Sequence, residues 1–321
     1  MTHAPDASRH VVGIDAGGTK TVCQLADATG RIVAETEGGG ANLQSAGELG
    51  VEKVLHAVMD EAIGSREIVP SVICLGIAGV DRADDAAVVE AIMRRIGYKA
   101  RVVVTNDALV ALVAGAGDGP GIVVVAGTGS IAYGRNAANR AARAGGWGYV
   151  LGDEGSGYWI GRHALRAVVR QADDRGRATT LTPLILRHFA VARAQDLVHQ
   201  VYYRGLRPSE IAAIATYVQQ AHEGGDEVAN EIIDSAAREL AAAAASVAKR
   251  LGMNGATFPF VLSGGIFRAV PWLVEVLTAR LHDVAPHATV STLRKQPAWG
   301  SVQIALAELA GGANLPVYVH S

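Results

Sequence analysis

The chain has 321 residues, half of them hydrophobic and 19% charged, with a formal net charge of −2 and a pI near 6.6. That balance excludes the basic face of a nucleic-acid binder or a polybasic membrane patch, and no apolar run reaches the roughly 20 residues of a membrane span. The length exceeds a comfortable single core, so a soluble globular protein of two domains is expected.

Residues 1–10 are polar and lack the apolar segment of a secretory leader, which predicts an unstructured start to a cytoplasmic protein. Residues 10–14, 21–27 and 31–37 are short, β-rich and separated by Gly-Gly-Thr-Lys and Ala-Thr-Gly turns, the pattern of an antiparallel meander. A helical apolar period follows over 48–63, then a buried strand over 71–77, a helix over 83–96, a strand over 102–104 and a short helix from Ala108. Gly115-Ala116-Gly117-Asp118-Gly119-Pro120-Gly121 is the richest breaker cluster and marks the boundary between a domain of 1–118 and one of 119–321. Beyond it the strand-turn-strand opening recurs over 122–126, 130–135 and 140–144, an architectural echo without sequence repetition. The remainder is mainly helical, clearest over 158–171, 208–220 and the alanine-rich 227–251, with strands over 258–262 and 288–292. A last helix over 298–310 is placed to pack back on the first domain.

Four turns carry the chemistry: Asp15-Ala16-Gly17-Gly18-Thr19-Lys20-Thr21, Thr105-Asn106-Asp107-Ala108, Gly127-Thr128-Gly129-Ser130 and Ser263-Gly264-Gly265-Ile266. Each follows a run that reads as a buried strand and so opens at a strand's carboxyl end, where open α/β sheets place ligands. Glycine permits close backbone approach, and consecutive N–H groups make a concavity for phosphates. Gly-Gly turns also simply join strands; four in register, with a carboxylate after one of them, suit a nucleotide. Cys23 and Cys74 lie in strand-like segments and read as reduced packing residues. None of the ten histidines pairs with cysteine or acid at a metal-ligand spacing.

In combination, Gly13-Ile14-Asp15-Ala16-Gly17-Gly18-Thr19-Lys20-Thr21, Thr105-Asn106-Asp107-Ala108, Gly127-Thr128-Gly129-Ser130, and Gly145-Gly146-Trp147-Gly148 followed by Gly152-Asp153-Glu154-Gly155-Ser156 resemble the BadF/BadG/BcrA/BcrD-type ATPase family, in its N-acetylglucosamine kinase branch. That family lies within the actin/hexokinase/Hsp70 superfamily. The resemblance covers residues 10–310 and implies an α/β, two-domain actin-like (ribonuclease H-like) fold, with ATP and sugar in the interdomain cleft. It implies a cytoplasmic homodimer that uses ATP and Mg²⁺ to phosphorylate the 6-hydroxyl of N-acetylglucosamine or glucosamine, with no nucleic-acid or membrane partner.

Carried over by residue, the resemblance makes Asp15 the carboxylate that orients Mg²⁺ through water. Gly17, Gly18, Thr19 and Lys20 fall on the phosphates from one domain, and Gly127, Thr128 and Gly129 from the other. Lys20 has no Walker pattern around it and better suits a solvated hairpin. Ser263, Gly264 and Gly265 match the adenosine turn. Asp107 is the expected catalytic base, a role worth typically 10²–10⁴-fold; read without the resemblance, it serves equally as the N-cap of the helix from Ala108. Asn42, Ser130, Gly146, Trp147 and Asp153 fall at the sugar, where Asp can take two vicinal hydroxyls and Trp can supply an apolar wall. Asn42 also suits an ordinary turn, and Trp147 the core. Glu154 suits the cap or the charged start of the helix at Tyr158. Ala78, in Gly76-Ile77-Ala78-Gly79, offers no hydroxyl where relatives carry serine, and Leu43-Gln44 replace the aromatic residue of the animal enzymes. The wall around the sugar's 2-substituent therefore differs, and the choice of amino sugar stays open.

Three other readings remain at this stage. One is an ATPase activator of 2-hydroxyacyl-CoA dehydratases, whose interface cysteines hold an iron–sulfur cluster. Another is a non-catalytic, nucleotide-dependent sugar sensor, against which stands the absence of an N-terminal helix-turn-helix. The third is a ROK-type kinase, whose cysteine-rich zinc segment is missing.

Overall fold

The computed structural model describes residues 9–80 and 83–319; residues 1–8 of the polar start lie outside them. The chain divides into two compact units, one of residues 1–123, 133–142 and 293–321, the other of 124–132 and 143–292.

The first unit opens with β1 (His10–Ala16), β2 (Lys20–Asp27) and β3 (Ile32–Gly39), an antiparallel meander as the turn residues predict. It continues through α1 (Leu43–Ile63), β4 (Val72–Ile77), α2 (Ala83–Ile96), β5 (Arg101–Asn106) and α3 (Asp107–Ala116). The five strands lie in the order β3-β2-β1-β4-β5, with β1, β4 and β5 parallel. Every residue of β4 is buried, the mark of a strand covered on both faces. On one face Ile14, Leu25, Ile73 and Leu75 form a core with Leu55, Met59 and Ile92 from α1 and α2.

The opposite face is covered by α3 and, from the far end of the chain, by α11 (Ala298–Leu309). The Ser301 hydroxyl donates to the Ile14 carbonyl at 2.7 Å. A Cβ on Gly13 would stand 2.4 Å from the Val302 backbone nitrogen and 2.7 Å from the Ala298 carbonyl oxygen. Backbone cannot retreat as a flexible side chain can, so Gly13→Ala is expected to lower unfolding stability by at least the ~1–3 kcal/mol of an overpacked core. A thermal or denaturant melt unchanged by that substitution would mean that α11 does not seat there.

Strands β6 (Gly121–Ala126), β7 (Ser130–Arg135) and β8 (Arg140–Gly145) repeat the hairpin opening and carry the chain across the division between the units. The second unit then supplies α4 (Gly157–Ala172), α5 (Leu181–His188), α6 (Pro208–Ala213), α7 (Ala215–Glu223), α8 (Glu227–Arg250), β9 (Pro259–Ser263), α9 (Ile266–Ala269), α10 (Pro271–Val284) and β10 (Thr289–Thr292). With the two-residue β11 (Val317–Tyr318), the second sheet runs β10-β9-β6-β7-β8-β11. The single helix expected over 208–220 is two: Ile214 N–H bonds back to Ile211 and Tyr217 N–H to Ile214, a tightened i→i+3 turn that interrupts the α spacing. The alanine-rich segment is the core helix α8, capped by Asp226, with Ala229, Ala236, Ala237 and Ala244 buried. No helix among the described residues is long and apolar enough to cross a membrane.

Candidate functional site

In the first unit the candidate residues gather at the carboxyl end of the parallel strands. Asp15 is level with Gly76 of β4, which is level with Thr105 of β5. Asp15 and the start of α3 are therefore two strand spacings apart, roughly 10 Å along the sheet. Asp107 is the first residue of α3, and the cap is its neighbour: the Asn106 side-chain oxygen accepts from Leu109 N–H at 3.0 Å. The capping explanation of Asp107 is thereby corrected, because Asn106 holds the N-cap position and accepts one of the helix's open N–H groups, while Asp107 lies inside the first turn.

The β1–β2 turn closes through Gly17 N–H to the Lys20 carbonyl at 3.0 Å, and Ala41 N–H binds the Gly17 carbonyl at 3.0 Å. A Cβ on Gly40 would lie 2.2 Å from the Gly18 carbonyl oxygen, so the strand-to-helix loop ending at Asn42 is laid directly on the glycine turn. Asn42 uses its side-chain oxygen to accept Ser45 N–H at 3.0 Å, opening α1. Ala78, whose N–H binds the Ala16 carbonyl and whose own carbonyl takes Leu43 N–H, joins this cluster. Lys20 pairs with the Glu37 carboxylate across β2 and β3, a solvent-facing ion pair. The side chain of Gln44 is outside what is described.

Asp15 keeps some exposed surface, yet burial of its carboxyl in the sheet end lifts its pKa from 3.8 to about 8. The charge of Asp107 pushes the same way, and Lys20 pulls against both. A carboxyl in that state calls for a proton or a cation. Its unfolded-state pKa is the lower one, so between about pH 4 and pH 8 the native chain holds a proton that the unfolded chain has lost, and stability falls as pH rises through that window. Denaturant melts across it are expected to show a decline that Asp15→Asn removes; the same slope in both proteins would refute the assignment.

In the second unit the hairpin Gly127-Thr128-Gly129-Ser130 rests on the segment that leads into α4. Gly157 N–H donates to the Gly127 carbonyl at 2.8 Å, Tyr158 N–H to Thr128 at 3.3 Å and Gly146 N–H to Ser130 at 2.9 Å. The Ser130 hydroxyl donates to the Glu154 carbonyl at 2.7 Å, so its proton is committed within the protein. Ser156, rather than Glu154, caps α4. Trp147 is 59% exposed, which removes the core reading; the Arg143 guanidinium lies 4.7 Å over its ring. Asp153 is buried, has a left-handed backbone (φ 59°), and has its carboxyl pKa raised by burial against hydrogen bonds from Gly148 and Ser130 N–H. Ser263 ends β9 and is buried. Gly264 has φ +120°, and a Cβ there would lie 2.2 Å from the Ala126 carbonyl oxygen; Gly265 precedes α9.

Gly18 and Gly127 have neither a positive φ nor any atom within 4 Å of where a Cβ would stand. No contact within the fold accounts for glycine at either position, and the backbone of both turns is left open to close approach. Among the described residues no group of three or more His, Cys, Asp or Glu forms a metal cage.

The model of the BadF/BadG/BcrA/BcrD ATPase family matches residues 12–301. The N-acetylmuramic acid/N-acetylglucosamine kinase of Clostridium acetobutylicum is 36% identical over 304 residues, covering 94% of this chain and 99% of the relative. The N-acetyl-D-glucosamine kinase of Dictyostelium discoideum is 32% identical, covering 92% and 97%. A solved structure from Chromobacterium violaceum superimposes with a TM-score of 0.75 at 24% identity, over 92% of this chain and 99% of that one. The similarity extends across both units and establishes the two-sheet, actin-like α/β fold.

Proposed function

Because the chain belongs to the BadF/BadG/BcrA/BcrD ATPase family, we propose that it is an ATP-dependent hexosamine kinase that phosphorylates the 6-hydroxyl of N-acetylglucosamine or glucosamine. The observation that carries this reading is the division of labour at the start of α3, where Asn106 caps the helix and Asp107 opens it at the sheet end, within electrostatic reach of Asp15. Asp107 accepts the proton of the attacking hydroxyl as the γ-phosphoryl group moves to the sugar oxygen and ADP departs. The 17–19 and 127–129 turns hold phosphate oxygens with backbone N–H groups, and the Ser263–Gly265 turn receives adenosine. Asn42, Trp147 and Asp153 line the sugar.

Asp15 suits Mg²⁺ held through water, which supports the cofactor assignment, since Mg²⁺ takes one or two carboxylates and completes its shell with water and phosphate. When bound, that ion would neutralise charge developing on the phosphates, with Asp15 as the carboxylate that would hold it through water. Binding it would favour the ionised form of Asp15, whose carboxyl burial otherwise keeps protonated near neutrality. Calorimetry of Mg·ATP binding near pH 7, in buffers of different ionisation enthalpy, is expected to register release of up to one proton, and Asp15→Asn none.

The activator reading needs cysteines available to a cluster, and Cys23 and Cys74 are buried free thiols, with burial pushing Cys23 up to about 12. The deciding experiment is coupled ADP release with glucosamine, N-acetylglucosamine, N-acetylmuramic acid, N-acetylmannosamine and glucose. Stimulation by an amino sugar is expected; an ATPase rate indifferent to all five would favour the activator or sensor. Cytoplasmic location and a homodimer complete the proposal.

A further inference from the structure

Asp153 is built into its place from several directions. Its left-handed backbone is one that a residue with a Cβ adopts at a cost, and its side chain is buried. One carboxylate oxygen accepts Gly148 N–H at 3.2 Å, within the exposed loop that carries Trp147. The Ser130 amide, at the end of the glycine hairpin, pulls the pKa of the same carboxyl down against the effect of burial. Its Oδ2 atom stands 2.5 Å from where a Cβ on Gly129 would be, and the three nearest atoms to that point all belong to Asp153. Gly129 has no positive φ, so the close approach of Asp153 accounts for glycine there.

We propose that Asp153 is a positioning residue, a strut that couples the 146–152 loop to the 127–130 hairpin, so that a ligand at one resets the other. This rests on the reading of the hairpin as a phosphate holder and of the loop as a sugar holder. It goes beyond a sugar contact, because a substitution in the phosphate hairpin then alters the sugar loop. A loop N–H held by a buried carboxylate that is itself packed on Gly129 cannot move independently of the hairpin, and loss of that carboxylate uncouples them.

The test is Gly129→Ala, whose methyl displaces the Asp153 carboxylate without touching the loop. Trp147 is one of four tryptophans, and its emission is isolated by subtracting the spectrum of a matched Trp147→Phe protein. Gly129→Ala is expected to shift Trp147 emission in the ligand-free protein and to raise the amino-sugar KM by about tenfold, the scale of one well-made hydrogen bond lost. Asp153→Ala is expected to do the same, and the double variant to do no more than either single one. If Trp147 emission is unmoved by Gly129→Ala, or if the two effects multiply, the strut is refuted. Should Gly129→Ala fail to fold by circular dichroism, Asp153→Asn takes its place, with the same emission shift expected and its absence equally decisive. If none of the five sugars is phosphorylated, the kinase reading falls, while the emission measurements still decide the coupling.

Discussion

Asp107→Asn is expected to lower turnover by roughly 10²–10⁴-fold while leaving sugar and ATP binding close to normal, since a carboxamide keeps the shape but accepts no proton from the sugar hydroxyl. Capping is not a competing explanation, because Asn106 supplies the cap and the variant leaves it in place. The measurement is single-turnover phosphoryl transfer alongside equilibrium binding of each substrate. Unchanged turnover would remove Asp107 from the chemistry. A loss confined to ATP affinity would assign it to the cation with Asp15 instead.

Gly127→Ala is expected to reduce kcat/KM for ATP by about 10²-fold, the scale of a 1 Å misplacement of reacting groups, with the melting temperature unchanged or slightly raised. The separation of the two effects is the informative part. An added Cβ at Gly127 meets nothing in the protein, and removing a glycine from an unstrained position restricts mainly the unfolded chain. Gly13→Ala, which collides with the backbone of α11, is expected to show the opposite balance: large in stability, with activity lost only as the fold is lost. Unaltered ATP kinetics in Gly127→Ala would mean that the hairpin does not cradle phosphate.

The meander, the buried strands and the fold class were legible because short apolar runs and turn residues are local signals, and the glycine turns stand at strand ends whatever the packing. What escaped the sequence depends on partners far along the chain or on single-residue choices. Asn106 and Asp107 are both good capping residues in adjacent positions, and only the backbone decides which is outside the helix. The pairing of Lys20 with Glu37 depends on the register between β2 and β3, which shifts at Leu25/Ala26. Commitment of the Ser130 hydroxyl to the Glu154 carbonyl and the buried, left-handed state of Asp153 arise only when the hairpin and the later loop meet. α10 is different, since its signal was present: Pro271 in the first turn and Leu273, Leu277 and Leu281 four residues apart, all three buried.

The position of α11 has a consequence for how the protein is made. Ile14 waits for a partner 287 residues later, and the second unit is threaded between the early strands and the helix that covers them. At the roughly 5–20 residues per second of translation, β1 emerges on the order of tens of seconds before α11 exists. Throughout that interval the face of β1 and β4 that α11 shares with α3 is only partly covered, so the nascent chain presents apolar sheet surface to its surroundings. Vectorial, domain-by-domain folding is closed to the first unit: the residues of the second are all made before α11, while the first stays incomplete until α11 has emerged. A ribosome stalled before codon 298 therefore yields a chain for chaperones and proteases, whatever the quality of its first hundred residues.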